Sequence, residues 1–196
     1  QGYEKRYLDV QEGPTLSEFF KHQSPTRGHK SNEYDGGFHV PAMARWPGHI
    51  AAGSESVHIW AFWDFLPTAA DLAGVSPPSG LDGISILPTL TGNGVQKQHE
   101  YLYWEHNQNQ AIRWGDHYAH KANGAKLELY NLKTDPQQQN DISDDNREIV
   151  EKINKMMADS HRPSDVWPSP GESKEAFQKR MEEQNIPKRP NKVGHY

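Results

Sequence analysis

The sequence predicts an α/β chain whose carboxy-terminal part is a small antiparallel sheet with one helix packed on it. Three observations carry this. Four short aromatic or alternating stretches lie between residues 101 and 132, separated by turn residues. A helical stripe of Ile149, Ile153, Met156 and Met157 follows them. Upstream, Leu66, Ala69, Ala70 and Ala73 recur at i, i+3, i+4 and i+7, with Pro67 in the first turn and Gly74 just past the last.

Taken in order, Leu16, Phe19 and Phe20 make one helical turn with an apolar face. Lys30 to Pro47 is a charged loop, a paired-glycine hinge and a rigid segment. Gly36 and Gly37 permit positive φ or a close backbone approach. Val40 to Trp46 reads as a short buried strand, with Pro41 tolerable near its start. Val57 to Trp63 leads into the helix with the Leu66 stripe. Asp64 is placed to cap it, and the helix serves packing, since neither Asp64 nor Asp71 has a partner for chemistry.

Residues 75–94 form a loop rich in proline and glycine, and the composition shifts near Gly94. The strands follow: Tyr101 to Trp104, Gln110 to Trp114, His117 to Lys121 and Lys126 to Leu132. Gly115-Asp116 makes a hairpin turn. Residues 146–160 cover one face of the sheet, with Asp144 or Asp145 as cap. In the polar remainder, residues 171–184 form a polar helix and residues 188–196 are disordered. The expected division is residues 1–94, 95–162 and 163–196.

Composition excludes several function classes. Hydrophobic residues make up 34% of the 196, and mean hydropathy is -0.95. Globular domains average roughly 45–50% apolar residues, so the core is modest, because of a polar tail or because the chain is one piece of a larger protein. A net charge of -5 without a basic run argues against nucleic acid. No apolar segment approaches the roughly 18 residues of a membrane span. The chain opens at Gln1 without a signal peptide, which leaves export undecided. The absence of cysteine rules out disulfides and thiolate metal sites.

Histidine and aspartate spacing gives no metal site. His117 and His120 point to opposite faces of a strand. Asp141, Asp144 and Asp145 lack the glycine and glutamate of an EF-hand, and read as a helix-capping turn.

The central stretch resembles the type I sulfatases, of the alkaline-phosphatase-like superfamily. The shared pattern is Lys30, Tyr34, Asp35, Gly36, Gly37, Pro41, Trp46, Pro47 and Gly48, with Asp35 where glutamate is more usual. Asp64 to Gly74, Asp82-Gly83-x-Ser85, Trp104-Glu105-His106 with Asn109, Ala111 and Arg113, and Tyr130-Asn131-Leu132-x-x-Asp135-Pro136 extend the likeness from about Pro25 to Trp167. It implies the end of an alkaline-phosphatase-like α/β sandwich plus a small carboxy-terminal domain of four antiparallel strands and a helix.

The resemblance further implies hydrolysis of a sulfate ester on a carbohydrate or aryl group, with Lys30 binding the sulfate; by residue type alone, a lysine before a glycine hinge reads as a solvated loop lysine. A cation there stabilises charge on the ester oxygens. His106, leaving a strand beside asparagine, is expected to line the substrate pocket; a histidine merely bonded between sheet and loop is the competing reading. The family's calcium ion and formylglycine nucleophile are expected for the whole enzyme, and a periplasmic or secreted location is implied. The nucleophile signature, Cys or Ser-x-Pro-x-Arg, places Gln23 where the nucleophile belongs; Ser24 is off by one. No Asp-Asn-Gly metal triplet occurs. The chain alone is therefore expected to be inactive without a missing amino-terminal catalytic portion. A non-catalytic binding or interaction subunit, half of a two-chain enzyme, and a phosphoesterase relative stay open beside this reading.

Overall fold

The computed structural model describes residues 26–30 and 32–184. The expected turn at Leu16 to Phe20, positions Gln23, Ser24 and Pro25, and residues 188–196 lie outside these. In chain order the described elements are α1 (Asp35–Phe38), a 3-10 turn (Phe62–Asp64), α2 (Phe65–Ala73), α3 (Leu87–Thr91), β1 (Leu102–His106), β2 (Asn109–Trp114), β3 (His117–Lys121), β4 (Glu128–Asn131), α4 (Arg147–Ser160) and α5 (Lys174–Glu183). Packing divides the chain into two compact units, residues 1–39 with 103–196, and residues 40–102. The expected domains 1–94, 95–162 and 163–196 concern the family's organisation and remain a proposal.

The first unit is built on an antiparallel sheet in the order β1-β2-β3-β4. Cross-strand partners include Ala111 with His120, Arg113 with Tyr118, Tyr118 with Tyr130 and His120 with Glu128. Side chains alternate across a strand, so these residues share one face. Ile112, Ala119 and Leu129 occupy the other and are fully buried. There α4 supplies cover through Ile153 and Met157, both buried, and Lys121 Nζ donates to Asn154 Oδ1 at 3.1 Å. The helix begins at Arg147. The expected aspartate caps are not used: Asn146 stands at the cap without a side-chain cap bond, and Asp144 pairs with Lys126 at 2.7 Å. Asp141 instead accepts the N–H groups of Leu129 and Ser143, and these bonds draw its carboxyl below the ordinary value against the opposing effect of burial.

The polar face is covered by the segment carrying the paired glycines. The Tyr118 hydroxyl donates to the Glu33 carbonyl at 2.7 Å. Arg27 Nη1 donates to the Tyr130 hydroxyl and the Gln138 carbonyl. Phe38 stacks on Trp104 with centroids 4.6 Å apart. Gly36 and Gly37 lie within α1 rather than at a positive-φ hinge. Their requirement is close approach: a Cβ at Gly36 would stand 2.7 Å from the Arg27 carbonyl oxygen, and one at Gly37 would overlap the Asn32 carbonyl.

In the second unit, the expected buried strand at Val40 to Trp46 is irregular, unpaired and exposed. No neighbouring strand among the described residues of this unit offers it a ladder, and Pro41 contributes no donor. The helix face also differs from expectation. Pro67, Thr68 and Ala70 are buried, whereas Leu66 is 50% exposed and Ala73 is exposed. Among the described residues, the buried face is the one turned to residues 84–86, where Thr68 accepts the Ile86 N–H. The helix ends as predicted, with Gly74 left-handed at φ 66°. A short helix, α3, occupies part of the expected 75–94 loop. Pro88 sits in its first turn and Gln96 Oε1 accepts the Thr89 N–H, which is enough to close a turn there.

Asp64 does not cap α2. Its carboxylate is fully buried and accepts from the Ala61 and Ile84 N–H groups and from His99 Nε2. The Asp64 carbonyl takes the Thr68 hydroxyl, whose oxygen in turn accepts the Ile86 N–H. Asp64 therefore has a histidine partner that its sequence context did not predict, and its role is to pin residues 84–86 to the helix.

Candidate functional site

Lys30 lies in an exposed turn ahead of α1, and none of the described ion pairs or hydrogen bonds engages its ammonium. Two residues on, Asn32 enters an open cleft of about 290 Å³ lined by Asn32, Glu33, Gly37, Phe38 and His106. Lys30 does not line this cleft. The loop of the lysine motif thus brings its next residues, rather than the ammonium itself, beside His106.

Glu33 is the centre of the arrangement. It is 4% exposed. Its Oε1 accepts from His106 Nδ1 at 2.8 Å, and its Oε2 accepts from Asn109 Nδ2 at 3.0 Å. A carboxylate is acceptor-only when ionised, so Nδ1 of His106 carries the proton of this bond. Asn107 Nδ2 lies 3.1 Å from His106 Nε2. The imidazole is thereby fixed at both nitrogens, with its side chain 50% exposed toward the cleft.

The turn that carries His106 is strained. Asn107 and Gln108 have φ of 49° and 67°. Consecutive left-handed residues are what a two-residue hairpin requires, and asparagine or glycine usually supplies them. Gln108 tolerates the position because its amide is tied down: Nε2 donates to the Ser169 and Glu172 carbonyls, and Oε1 accepts from Asn123. Strain of this kind persists only where surrounding contacts hold it.

Asp35 closes the site from behind. It is 5% exposed. Its N–H donates to Gln138 Oε1, and its carboxylate meets Arg113 Nη1 at 3.4 Å and His39 Nδ1 at 3.2 Å. Beside it, Tyr34 lies under the Arg27 guanidinium, 3.7 Å from the ring centroid. The Tyr34 hydroxyl donates to Glu128 Oε2 at 2.8 Å. Burial first, then this bond, push the Tyr34 phenol up to about 12. Tyr130 donates to the same oxygen, and its phenol is also raised.

Asn32, Glu33 and Phe38 were not predicted as site residues. Glu33 stands among loop charges, and no spacing distinguishes it from a solvated glutamate. Its burial comes from tertiary contact with β2 and β3.

The family described as "N-sulphoglucosamine sulphohydrolase, C-terminal" matches residues 29–162. The chain belongs to this family. Mouse (Mus musculus) N-acetylgalactosamine-6-sulfatase is 38% identical over 93 residues, covering 46% of the chain and 18% of that protein. Rat (Rattus norvegicus) steryl-sulfatase is 37% identical over 94 residues, covering 46% and 16%. Among solved structures, Ps i-CgsB is 27% identical with a TM-score of 0.59, over 84% of the chain and 37% of that protein. A structure described under the metabolism of multiple glycosaminoglycans by Bacteroides thetaiotaomicron shares the fold, with a TM-score of 0.63 at 21% identity, over 72% of the chain and 34% of its own. The chain spans less than a fifth of the curated relatives it matches. It is a sulfatase carboxy-terminal region of α/β type, carrying the four-stranded antiparallel sheet and packed helix.

The calcium of the sulfatases finds no fit here. Among the described residues no group of three or more histidine, aspartate or glutamate side chains is arranged to hold a metal ion. Glu33 and Asp35 are already committed to histidine, arginine and amide donors. The formylglycine finds no precursor in its signature either, since Gln23 stands where the cysteine or serine belongs.

Proposed function

We propose that this chain is the carboxy-terminal part of a sulfatase that hydrolyses sulfate esters of a carbohydrate or aryl group, with Lys30 binding the sulfate and His106 lining the substrate pocket. The observation that carries the reading is the cleft itself: residues just after Lys30 and the histidine leaving β1 line one concavity. The relatives' names support sulfated sugars and sterols as the substrate class.

Hydrolysis breaks the ester S–O bond, adds the elements of water, and releases an alcohol and sulfate. The ammonium of Lys30 would bind the non-bridging sulfate oxygens and stabilise their charge. His106, held by Glu33, would face the organic part of the substrate. The nucleophile and calcium belong to the rest of the enzyme, so the isolated chain is inactive. Exposed apolar groups of the second unit, Val57, Ile59, Phe62, Phe65 and Leu72 among them, support its packing inside a larger domain.

The test compares the isolated chain with the intact enzyme on aryl sulfate and aryl phosphate. The chain alone should give no turnover. In the intact enzyme Lys30→Ala should lower kcat/KM for sulfate esters by two orders of magnitude or more, on the scale of removing one charge-stabilising group. Turnover of aryl sulfate by the pure chain, or an unaffected Lys30→Ala enzyme, refutes the assignment. A preference for phosphate esters would make it a phosphoesterase.

A further inference from the structure

His120 is a buried histidine outside the residues that line the cleft. It sits on β3, 6% exposed, opposite Ala111 on β2 and Glu128 on β4. Its Nε2 is 3.7 Å from Glu33 Oε2, and its Nδ1 is 3.8 Å from Glu128 Oε2. Both ring nitrogens are buried and neither has a partner at hydrogen-bond distance. The ring lies against Tyr34, with centroids 4.4 Å apart.

The groups around it are all committed elsewhere. Glu33 Oε2 takes the Asn109 amide. Glu128 Oε2 takes the Tyr34 and Tyr130 hydroxyls, with Arg27 at 4.0 Å. Tyr118, on the same face of β3, donates to the Glu33 carbonyl. β2 places Ala111 opposite His120 and brings Asn109 to the same Glu33 oxygen. His120 is thus a wedge between two carboxylates that approach from different elements.

An imidazole carries at least one N–H in either tautomer. Whichever nitrogen bears it, that N–H faces a carboxylate in a site with little water. A shift of about 0.6 Å would bring either pair within bonding range. Glu33 is the carboxylate that fixes His106 and Asn109, so a force on Glu33 is transmitted to the cleft.

We propose that His120 is a positioning residue for the cleft: wedged between Glu33 and Glu128, it holds the Glu33 carboxylate in the orientation that receives His106 Nδ1 and Asn109 Nδ2. This rests on the reading of the cleft as a substrate pocket, but its test reads His106 itself and needs no substrate. A chain with no affinity for sulfated sugars would defeat that reading and leave this one untouched.

The experiment is nitrogen-15 spectroscopy of the histidine rings in the full 196-residue chain. In the unmodified protein His106 should show one tautomer, protonated at Nδ1, and a His120 ring N–H should be visible and protected from solvent exchange. His120→Phe keeps a ring against Tyr34 and removes both nitrogens. It should abolish the single-tautomer pattern of His106 while the amide spectrum stays folded. His120→Gln, which restores one N–H donor, should recover it. An unchanged His106 in folded His120→Phe overturns the proposal. Should that variant not fold, the unmodified chain decides: a His120 ring N–H lost to rapid exchange overturns it equally.

Discussion

Glu33 Oε1 and His106 Nδ1 meet at 2.8 Å across 73 residues of sequence. The same carboxylate holds Asn109 through its other oxygen. Glu33→Gln keeps the shape but turns one acceptor into a donor, so either His106 or Asn109 then faces an N–H group. His106 is half exposed and can turn to water, which limits its share of the cost. Asn109 is partly buried and the altered Glu33 group is 4% exposed, so the mismatch there is less open to water. The expected loss is about 1–3 kcal/mol of unfolding free energy, the range for an unsatisfied buried polar group. Urea denaturation measures it, and a variant as stable as the parent would mean that Glu33 is not the anchor.

How much of this was legible in the sequence depends on where each residue finds its partner. The sheet was readable because Ile112, Ala119 and Leu129 bury against α4 within one local stretch, and that burial leaves a period in the sequence. Lys30 and His106 could be named from motif resemblance. Glu33 could not, because its partners come from β2 and β3, and a loop glutamate has no pattern of its own. Val40 to Trp46 was misread for the converse reason: an apolar segment signals a strand only where a second strand exists to receive it. Asp64 stood one residue before α2 and looked like a cap, yet its oxygens reach back to Ala61 and across to Ile84.

Gly37 is predicted to tolerate no side chain. Its φ is ordinary for any residue, so the demand is purely steric: an added Cβ meets the carbonyl of Asn32, with the His29 carbonyl oxygen at 3.0 Å. Both obstacles are backbone, and relief requires moving the turn that begins at Lys30. Gly37→Ala should destabilise the chain by about 1–3 kcal/mol, as overpacking does. Gly124→Ala is the control for backbone conformation alone, since open space surrounds a Cβ there despite its φ of 73°. Thermal unfolding of the pair separates the two costs. Loss at Gly37 smaller than at Gly124 would contradict the close approach.

Alkaline pH should loosen the face that carries the cleft. The Tyr34 phenol is raised to about 12 from an unfolded value of 10.0, first by burial and then by its bond to Glu128. A folded-state value above the unfolded one means that the native protein keeps the proton longer. The contribution is complete below pH 10 and is lost as pH climbs to about 12. The phenols of Tyr118 and Tyr130 shift in the same direction. Tyr34→Phe should therefore show a shallower decline in stability across that window. Denaturation midpoints between pH 9 and 12, followed beside phenolate absorbance, give the comparison; parallel curves would remove Tyr34 from the account.

The largest single loss is expected at Asp64. It is fully buried, and its side-chain oxygens hold two backbone N–H groups and His99, whose side chain is 12% exposed. Asp64→Ala leaves three donors without an acceptor and opens a space where the carboxylate stood. Each buried donor left unsatisfied costs about 1–3 kcal/mol. Asp64→Asn retains one oxygen, so it should cost less than the alanine change. Because the carboxylate also ties residues 84–86 to α2, the damage should be local before it is global. Hydrogen exchange should rise first at the Ile84 and Ile86 amides, which lose Asp64 directly and Thr68 by displacement. Protection at those two amides equal to the parent's would show that the helix, and not this carboxylate, holds the strap in place.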